Sequence, residues 1–296
     1  MALPDDGTRI LTDAVTEGNA VSALISPAFV KSAIFLSLVN AQTCSPGTNV
    51  IKFRISGSLT AEAVADSVVY TPTDANTLLT DTSVTATATK VVSAGVWSVE
   101  SEAFGAGSSN RARYSAELGA ALARKFDADC ITLIDSITNV ATATSTMDTD
   151  TLNTGVYNIE NSNVPPGPLV AVMSPRQVND LRKLVANSGA AIYSTQYNSP
   201  FFGPPQANRF QGNFLGVDIY QTTGLTATGG DTQGAIFNPK YFFGAAMGSG
   251  IGVNEEFTGT GVALNKPGFS TILSSWMFYN VVVWRNAAAC ELRSDT

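Results

Sequence analysis

Side chains that commonly carry out acid–base or metal chemistry are scarce in this sequence. It contains no histidine, which excludes Ser-His-Asp and Cys-His nucleophile systems and the usual ligand sets of zinc hydrolases. Its three cysteines, Cys44, Cys130 and Cys290, lie far apart and form no CxxC or Cys/His spacing. They predict neither a zinc site nor a disulfide framework. Cys130 and Cys290 lie in apolar runs and are expected to be small buried hydrophobic residues.

Two segments approach known ligand-binding patterns without completing them. Gly248, Gly250 and Gly252 alternate, but Val253 stands where the third glycine of a dinucleotide-binding loop belongs. We interpret these glycines as a flexible turn. Residues 148–153, DTDTLN, resemble the start of a calcium loop, but leucine occupies the fifth position and no glycine follows at the sixth. A calcium site there is the less favoured interpretation.

Paired carboxylates could in principle serve a glycosidase. The candidates are Asp127 with Asp129 and Glu255 with Glu256. Neither pair stands out from a solvated or capping role, and three tryptophans provide few platforms for stacking sugars. A carbohydrate-binding or glycosidase-like β-rich protein remains an alternative, but we predict no catalytic, cofactor or metal site.

The composition indicates a globular protein with little surface charge. Of 296 residues, 44% are hydrophobic and only 14% charged, against about 25% charged in ordinary soluble domains. Such a surface suits a protein that is covered by neighbours. The net charge is −7, and basic residues cluster no further than pairs such as Arg124-Lys125 and Arg182-Lys183, which we interpret as solvated helix faces. The sequence thus lacks the basic stripe of a specific nucleic-acid binder.

The first residues form a polar, acidic arm without the basic and apolar regions of a signal peptide. No apolar run approaches the roughly 20 residues of a membrane span, so synthesis in a reducing cytosol is expected. After the arm, the apolar segment 26–41 is predicted to be a helix or a buried extended segment. Ser26 is its predicted N-cap, and Pro27 its first helical residue.

Alternating residues predict a long β-hairpin. Ile51, Phe53 and Ile55 point to one side of the first strand, and residues 82–90 alternate between hydroxyl and small apolar side chains. The polar segment between the strands carries four acids, Glu62, Asp66, Asp74 and Asp81. A lone hairpin is marginally stable in water, and no adjacent segment offers a matching sheet. The hairpin is therefore expected to dock on a neighbouring subunit.

The strongest helix prediction covers residues 110–137, which would be roughly 40 Å long at 1.5 Å per residue. Its predicted apolar stripe consists of Tyr114, Leu118, Leu122, Phe126, Cys130, Leu133 and Ile137. Residues 139–155 are predicted to form a Ser/Thr-rich loop.

A second helix is predicted from the capping box of Ser174 and Gln177, with Pro175 at the first helical position. Val178, Leu181 and Val185 form its apolar stripe, and Gly189 is expected to terminate it. Residues 214–222 are predicted to be a strand, and the chain is expected to close with apolar strands.

This order of elements resembles the major capsid proteins of tailed bacteriophages over about residues 25–293. The segments on which this resemblance rests are ELGAALARKFDADCITLI in the long helix, the Ser-Pro helix after VMSP, LGVDIYQT and the β-rich C-terminus. The resemblance implies an α+β, Hong Kong 97-type capsid fold with an N-arm, an extended β-hairpin loop, a peripheral domain with a long spine helix, and an axial domain. The implied boundaries are 1–22 for the N-arm, 45–92 for the extended loop, 23–44, 93–139 and 262–296 for the peripheral domain, and 140–261 for the axial domain.

The resemblance also implies the function. The chain would be a structural protein, not an enzyme, that assembles with itself as pentamers and hexamers into the icosahedral head shell of a tailed phage. The shell would be assembled in the host cytoplasm and enclose double-stranded DNA without sequence-specific binding. A separate scaffolding protein and a portal are expected partners, since the spine helix and loop begin too early for a fused scaffolding segment. A decoration protein is left open, and an encapsulin-like shell around a protein cargo is the alternative.

Residues expected to contact neighbouring subunits lie in three places. They are Ile51, Phe53 and Ile55 on the hairpin, Arg111 and Arg113 near the start of the long helix, and Tyr197, Phe201 and Phe202 in the loop 190–213. Some capsid proteins of this family cross-link through a lysine on the extended loop, but residues 55–89 contain none. The resemblance therefore implies a shell without isopeptide bonds.

Overall fold

The structure, a computed structural model, describes residues 25–55, 82–98, 107–162, 164–187, 209–225, 227–228, 231–258 and 270–295. Residues 25–32 are helical. Three further α-helices are α1 Gly107–Ile134, α2 Thr149–Glu160 and α3 Pro175–Asn187. The strands are β1 Asn40–Thr43, β2 Val50–Ile55, β3 Thr82–Thr87, β4 Thr89–Ser98, β5 Val140–Thr142, β6 Leu169–Met173, β7 Phe210–Phe214, β8 Val217–Gln221, β9 Ala227–Thr228, β10 Asp231–Phe237, β11 Phe243–Thr258, β12 Ser270–Val283 and β13 Ala289–Asp295.

The long helix has the predicted length of 28 residues but begins and ends three residues earlier than predicted. Its apolar stripe packs against β12 and β4. Two members of the predicted stripe are misplaced, since Tyr114 is 40% exposed and Leu133 only partly buried. The buried stripe of the helix consists of Leu118, Leu122, Phe126, Cys130 and Ile134, and Ile137 is buried just beyond the end of the helix.

The helix covers one face of a four-stranded sheet with the order β1-β11-β12-β4. β1 is parallel to β11, and the other pairs are antiparallel. The alternating glycines lie inside β11, so the prediction of a turn is wrong. The register shifts between Met247 and Ile251, with Gly250 at φ +155° inside this bulge. Gly252 is a site of close packing, because a Cβ there would lie 2.3 Å from the Trp276 ring.

A seven-stranded sheet has the order β5-β13-β10-β6-β8-β7, with β9 also paired to β10. Its strands come from segments that the resemblance assigns to the axial domain and, in the case of β13, to the peripheral domain. β13 pairs with β10 along its whole length, from Asp231↔Asp295 to Phe237↔Ala289, instead of joining β12. β11, which was assigned to the axial domain, pairs with β12 and β1 in the other sheet. Strand partners are chosen by non-local pairing, so boundaries drawn along the chain do not determine which sheet a strand joins.

One hydrophobic core joins the two sheets. Phe237 of the seven-stranded sheet, Phe243 of the four-stranded sheet and Phe242 just before it form a ring cluster, with the centroids of Phe242 and Phe243 4.2 Å apart. Phe35 adds an edge-on contact to Phe243 at 5.9 Å. Aromatic pairs of this kind contribute roughly 0.5–1.5 kcal/mol beyond the area they bury, so the two sheets are stabilised as one body.

Helix α2 begins inside the segment 139–155 that was predicted as a loop and ends five residues beyond it. Asp148 is its N-cap and accepts a hydrogen bond from the Thr151 amide at 2.8 Å, which explains the acidic pattern without a calcium ion. Leu152 and Ile159 are buried in the core beside β13. The helix was missed because its sequence is rich in Thr and Asn. These residues favour caps and turns unless tertiary packing stabilises the helix.

The predicted capping box of α3 is confirmed. The Gln177 amide donates to Ser174 Oγ, and the Ser174 amide donates to Gln177 Oε1, both at 3.2 Å. Gln177 is fully buried and its Nε2 also donates to the carbonyl oxygens of Thr232 and Leu292. Val178 and Leu181 are buried as predicted. The cap therefore anchors α3 to the seven-stranded sheet as well as starting the helix.

We expect Ser174→Ala to lower the free energy of unfolding by about 1–2 kcal/mol, because the buried Gln177 amide loses its acceptor. Urea denaturation of unassembled subunits would measure this loss. Ser83→Ala, at an exposed position on β3, is the matched control and should stay within about 0.5 kcal/mol of the wild type. Equal effects of the two substitutions would contradict the capping role.

Two predictions of local structure need correction. Ser26 is not the N-cap, because Ile25 before it is already helical and fully buried. Residues 214–222 do not form one strand. Leu215 and Gly216 have φ values of +53° and +81°, and this left-handed pair turns the chain between β7 and β8.

Candidate functional site: the hairpin and the uncovered sheet face

Of the carboxylates considered for catalysis, Asp127 and Asp129 have structural roles, and the side chains of Glu255 and Glu256 lie outside the described part of the structure. Asp127 accepts hydrogen bonds from the amides of Ile34 and Phe35 at 3.0–3.1 Å. Burial raises the pKa of Asp127, and the backbone hydrogen bonds oppose that shift. Asp129 accepts from the Tyr279 hydroxyl at 2.7 Å and from Lys125 at 2.5 Å. Asp127 thus connects α1 to residues 34–35, and Asp129 connects it to β12. Both carboxylates are engaged in hydrogen bonds that hold the fold together.

Cys130 and Cys290 are fully buried as predicted, and burial raises the pKa of both thiols. Across the described ranges, no group of three or more Cys, Asp or Glu side chains could hold a metal ion. Within the same part of the chain, no helix is long and apolar enough to span a membrane. A groove of 330 Å³ beside Cys44 and Phe278 contains no carboxylate or cation in its lining. The candidate functional site is therefore a surface.

The base of the predicted hairpin is confirmed as the antiparallel pair β2–β3, with Val50 opposite Thr87 and Ile55 opposite Thr82. Its inner side packs on the subunit's own sheet. Phe53 is 1% exposed, lies 5.6 Å from the Trp284 ring, and occupies the space that a side chain at Gly244 would fill. Trp284 Nε1 donates to the Arg54 carbonyl oxygen at 3.1 Å. The sequence predicted docking on a neighbouring subunit, but the inner side of these strands packs within its own subunit.

The outer side of the hairpin faces away from the sheet. It carries exposed Val50, Lys52 and Arg54 on β2 and exposed hydroxyl residues on β3. This confirms the predicted alternation, since Ala86 and Ala88 lie on the buried side.

On the face opposite α1, the described residues leave an apolar area of the four-stranded sheet exposed. Val92 and Val96 are 55% and 48% exposed, and Phe278 is 42% exposed. The register places Val92 opposite Trp276 and Lys90 opposite Phe278, so these side chains share one face. Lys90 Nζ lies 4.7 Å above the Trp276 ring. Among the described residues only the hairpin packs on this face, at the end of the sheet around Gly244 and Val282.

The residues predicted to contact neighbours are placed unevenly. Ile51 and Ile55 are half-buried beside Phe53, which is a core residue with almost no surface left for a neighbour. Arg113 is exposed on α1. The side chain of Arg111 and the residues Tyr197, Phe201 and Phe202 lie outside the described part of the structure, as does the proposed helix end at Gly189.

Val92, Val96, Phe278 and Trp284 were missed by the sequence prediction. Alternation in residues 90–96 indicates a strand, but both of its faces carry valine. Only the position of α1 shows that Val91 lies on the covered side and Val92 on the uncovered side. The sequence therefore predicts the strand but does not indicate which of its two faces is covered.

Several solved structures that align with this chain are capsids or related particles. The capsid of a native GTA particle aligns with a TM-score of 0.66 at 11% identity, covering 90% of this chain and 91% of that one. The capsid of cyanophage P-SCSP1u aligns with a TM-score of 0.59 at 17% identity, covering 88% and 87%. A virus-like particle from Pyrococcus furiosus aligns with a TM-score of 0.57 at 11% identity, covering 93% and 99%. No family model matches the sequence, and no curated protein matches it.

These alignments define the class of fold. The chain has the Hong Kong 97-type capsid fold, and the resemblance found in the sequence is confirmed at this level. At such low identities the likeness concerns the fold alone.

Proposed function

We propose that the chain is the major capsid protein of a tailed bacteriophage, which assembles with itself into the icosahedral head shell around double-stranded DNA. The observation that carries this proposal is an alignment with capsid structures that spans about nine-tenths of the chain. The apolar sheet face that the described residues leave exposed supports it, because monomeric proteins rarely leave such patches uncovered. The role is structural, with no reaction assigned to any side chain.

In this assignment residues 1–22 are the N-arm and 45–92 the extended loop, with β2 and β3 as its base. Head-to-tail contacts around a rotation axis close into pentamers and hexamers, and many modest contacts add cooperatively. A separate scaffolding protein and a portal complete the head, which is assembled in the host cytoplasm and then forms part of the virion. Loop 190–213 provides contacts at the capsomer centre.

The direct test is light scattering after size exclusion, followed by electron microscopy of the chain expressed alone and with a scaffolding protein. We expect capsomers, tubes or closed shells. A monomer of 30.9 kDa under all conditions would contradict the proposal. Shells purified from infected cells should contain DNA. A packaged enzyme in place of DNA would support the alternative of a protein-cargo shell, since a virus-like particle also aligns with this chain.

Charging the uncovered face should stop assembly without unfolding the subunit. In Val92→Glu with Phe278→Glu, two exposed apolar side chains become anions that a neighbouring subunit would have to bury unpaired. We expect soluble subunits with unfolding midpoints near the wild type and no capsomers on size exclusion. Thr144→Glu, at an exposed site beyond β5, is the control. Normal shells from the double variant would show that this face stays uncovered in the assembly.

Mature shells should dissociate completely on a boiled denaturing gel, because residues 55–89 contain no lysine that could form an isopeptide bond. A single band at 30.9 kDa is expected. A ladder of covalent oligomers would contradict this prediction.

A further inference from the structure

Trp284 lies where the chain passes from one sheet to the other. It directly follows β12 of the four-stranded sheet and precedes β13 of the seven-stranded sheet. Its amide donates to the Phe242 carbonyl oxygen at 2.7 Å, and the centroids of Trp284 and Tyr241 are 5.9 Å apart. Phe242 belongs to the ring cluster that joins the sheets, with its centroid 5.3 Å from that of Phe237. The position of Trp284 is therefore fixed by both sheets.

The ribbon β2–β3 is attached to this junction in two ways. Its inner side packs around Phe53, whose ring centroid lies 5.6 Å from that of Trp284. Burial of apolar surface is non-directional, so this contact fixes the position of the ribbon better than its angle. The second attachment is the hydrogen bond that Trp284 Nε1 donates to the Arg54 carbonyl oxygen. Among the described residues, no other hydrogen bond joins β2 or β3 to the rest of the subunit.

This hydrogen bond is placed where it controls the direction of the hairpin. Arg54 is next to Phe53 and one residue before the end of β2, and residues 56–81 begin directly after that strand. A hydrogen bond weakens steeply as its angle departs from linear. Rotation of the ribbon about Phe53 would therefore break the bond, and the bond holds the ribbon at one angle.

The same bond contributes little to folding. Arg54 is exposed and Trp284 is half-buried, so water replaces the lost partner when the bond opens, and the net stabilisation from such a bond is small. The bond thus restricts the angle of the hairpin, while the packing of Phe53 keeps the ribbon on the sheet.

We propose that Trp284 is the positioning residue of the hairpin, and that its indole N–H sets the curvature of the shell by holding the ribbon at one angle. The inference rests on the proposed assembly function. When the hairpin has one angle, the contacts between copies vary little and the assembly closes at one size. A ribbon that rotates about Phe53 presents several angles, which yields shells of several diameters or open tubes.

The test compares full-length Trp284→Phe with the wild type. Phenylalanine keeps an aromatic ring beside Phe53 and Tyr241 but has no N–H to donate. Tyr241→Phe is the matched control, because it removes a polar atom from the neighbouring ring and leaves the bond to Arg54 in place.

Limited trypsin digestion of unassembled subunits tests the bond itself. Trypsin cleaves after the exposed Arg54 only when that carbonyl group is free to enter the active site of the protease. Cleavage after Arg54, measured relative to cleavage after the exposed Arg124 of α1, should be about threefold faster in Trp284→Phe, because releasing one hydrogen bond shifts local opening by a few-fold. The ratio should be unchanged in Tyr241→Phe. A general loss of stability would raise both cleavages together.

Electron microscopy of the assembled particles tests the consequence for the shell. We expect closed shells of one diameter from the wild type and from Tyr241→Phe. Trp284→Phe should assemble at a similar yield into shells of several diameters or into tubes.

Several outcomes would overturn the proposal. Uniform shells from Trp284→Phe would do so whatever the cleavage ratio, and so would mixed shells with an unchanged ratio, because the hairpin would still be held. Mixed shells from both variants would assign the effect to aromatic packing instead of the N–H. Loss of all assembly in Trp284→Phe would make the bond a requirement for assembly and not a determinant of shell size. A wild-type chain that never assembles would contradict the proposed function itself, which distinguishes that failure from the others.

Discussion

Phe53→Ala is expected to lower the free energy of unfolding of the subunit by about 3–5 kcal/mol, the usual cost of truncating a fully buried phenylalanine. Phe53 is 1% exposed and fills the space above Gly244 between Ala246 and the Trp284 ring. Its loss leaves a cavity where the hairpin base meets the sheet, so we also expect loss of assembly. Urea denaturation of unassembled subunits measures the first effect and size exclusion the second.

Two further variants show whether the loss comes from this packing. Thr85→Ala, on the exposed side of β3, should stay within about 0.5 kcal/mol of the wild type. Gly244→Ala places a Cβ 2.8 Å from the Phe53 ring, so it should be destabilising alone and less so in the Phe53→Ala background. A Phe53→Ala subunit with wild-type stability that fails only in assembly would return Phe53 to the intersubunit contact expected from the sequence.

Gly119→Val is expected to separate the helical residues 25–32 from α1 and to cost about 3 kcal/mol, a typical value for overpacking. A Cβ at Gly119 would lie 2.5 Å from the Ile25 carbonyl oxygen and 3.1 Å from the Phe29 amide. Both are backbone atoms, which cannot move aside as a flexible side chain can. The loss should outweigh the gain in helix propensity, which is smaller than the roughly 1 kcal/mol between glycine and alanine because valine is itself a weak helix former.

Limited trypsin digestion provides a local readout for this substitution, because the exposed Lys31 lies in the segment that should be released. Cleavage after Lys31 should be faster in Gly119→Val than in the wild type. Ala116→Val, at an exposed position about one turn earlier in α1, is the control and should leave cleavage unchanged. Unchanged cleavage in both variants would contradict the close approach of the two helices.

Strands, helices and caps that depend on residues close together in the chain could be predicted from the sequence alone. The alternation around Phe53 predicted β2 because side chains on a strand repeat every two residues. The spacing of Leu118, Leu122 and Phe126 predicted α1 through the helical period. The Ser174–Gln177 cap was visible because both partners lie within one turn. The lack of histidine pointed away from familiar hydrolase sites, and the order of elements pointed to the fold.

The tertiary structure decided which partner each element meets. Nothing near Phe53 in the sequence indicates that its ring packs against Gly244 and Trp284, because about two hundred residues separate them from it along the chain. The same holds for β13, whose apolar pattern fits either sheet until pairing with β10 is formed. Residues such as Val91 and Val92 have equal propensities, and only packing against α1 buries one and exposes the other. Period and capping are properties of neighbouring residues, whereas burial depends on which distant surfaces meet.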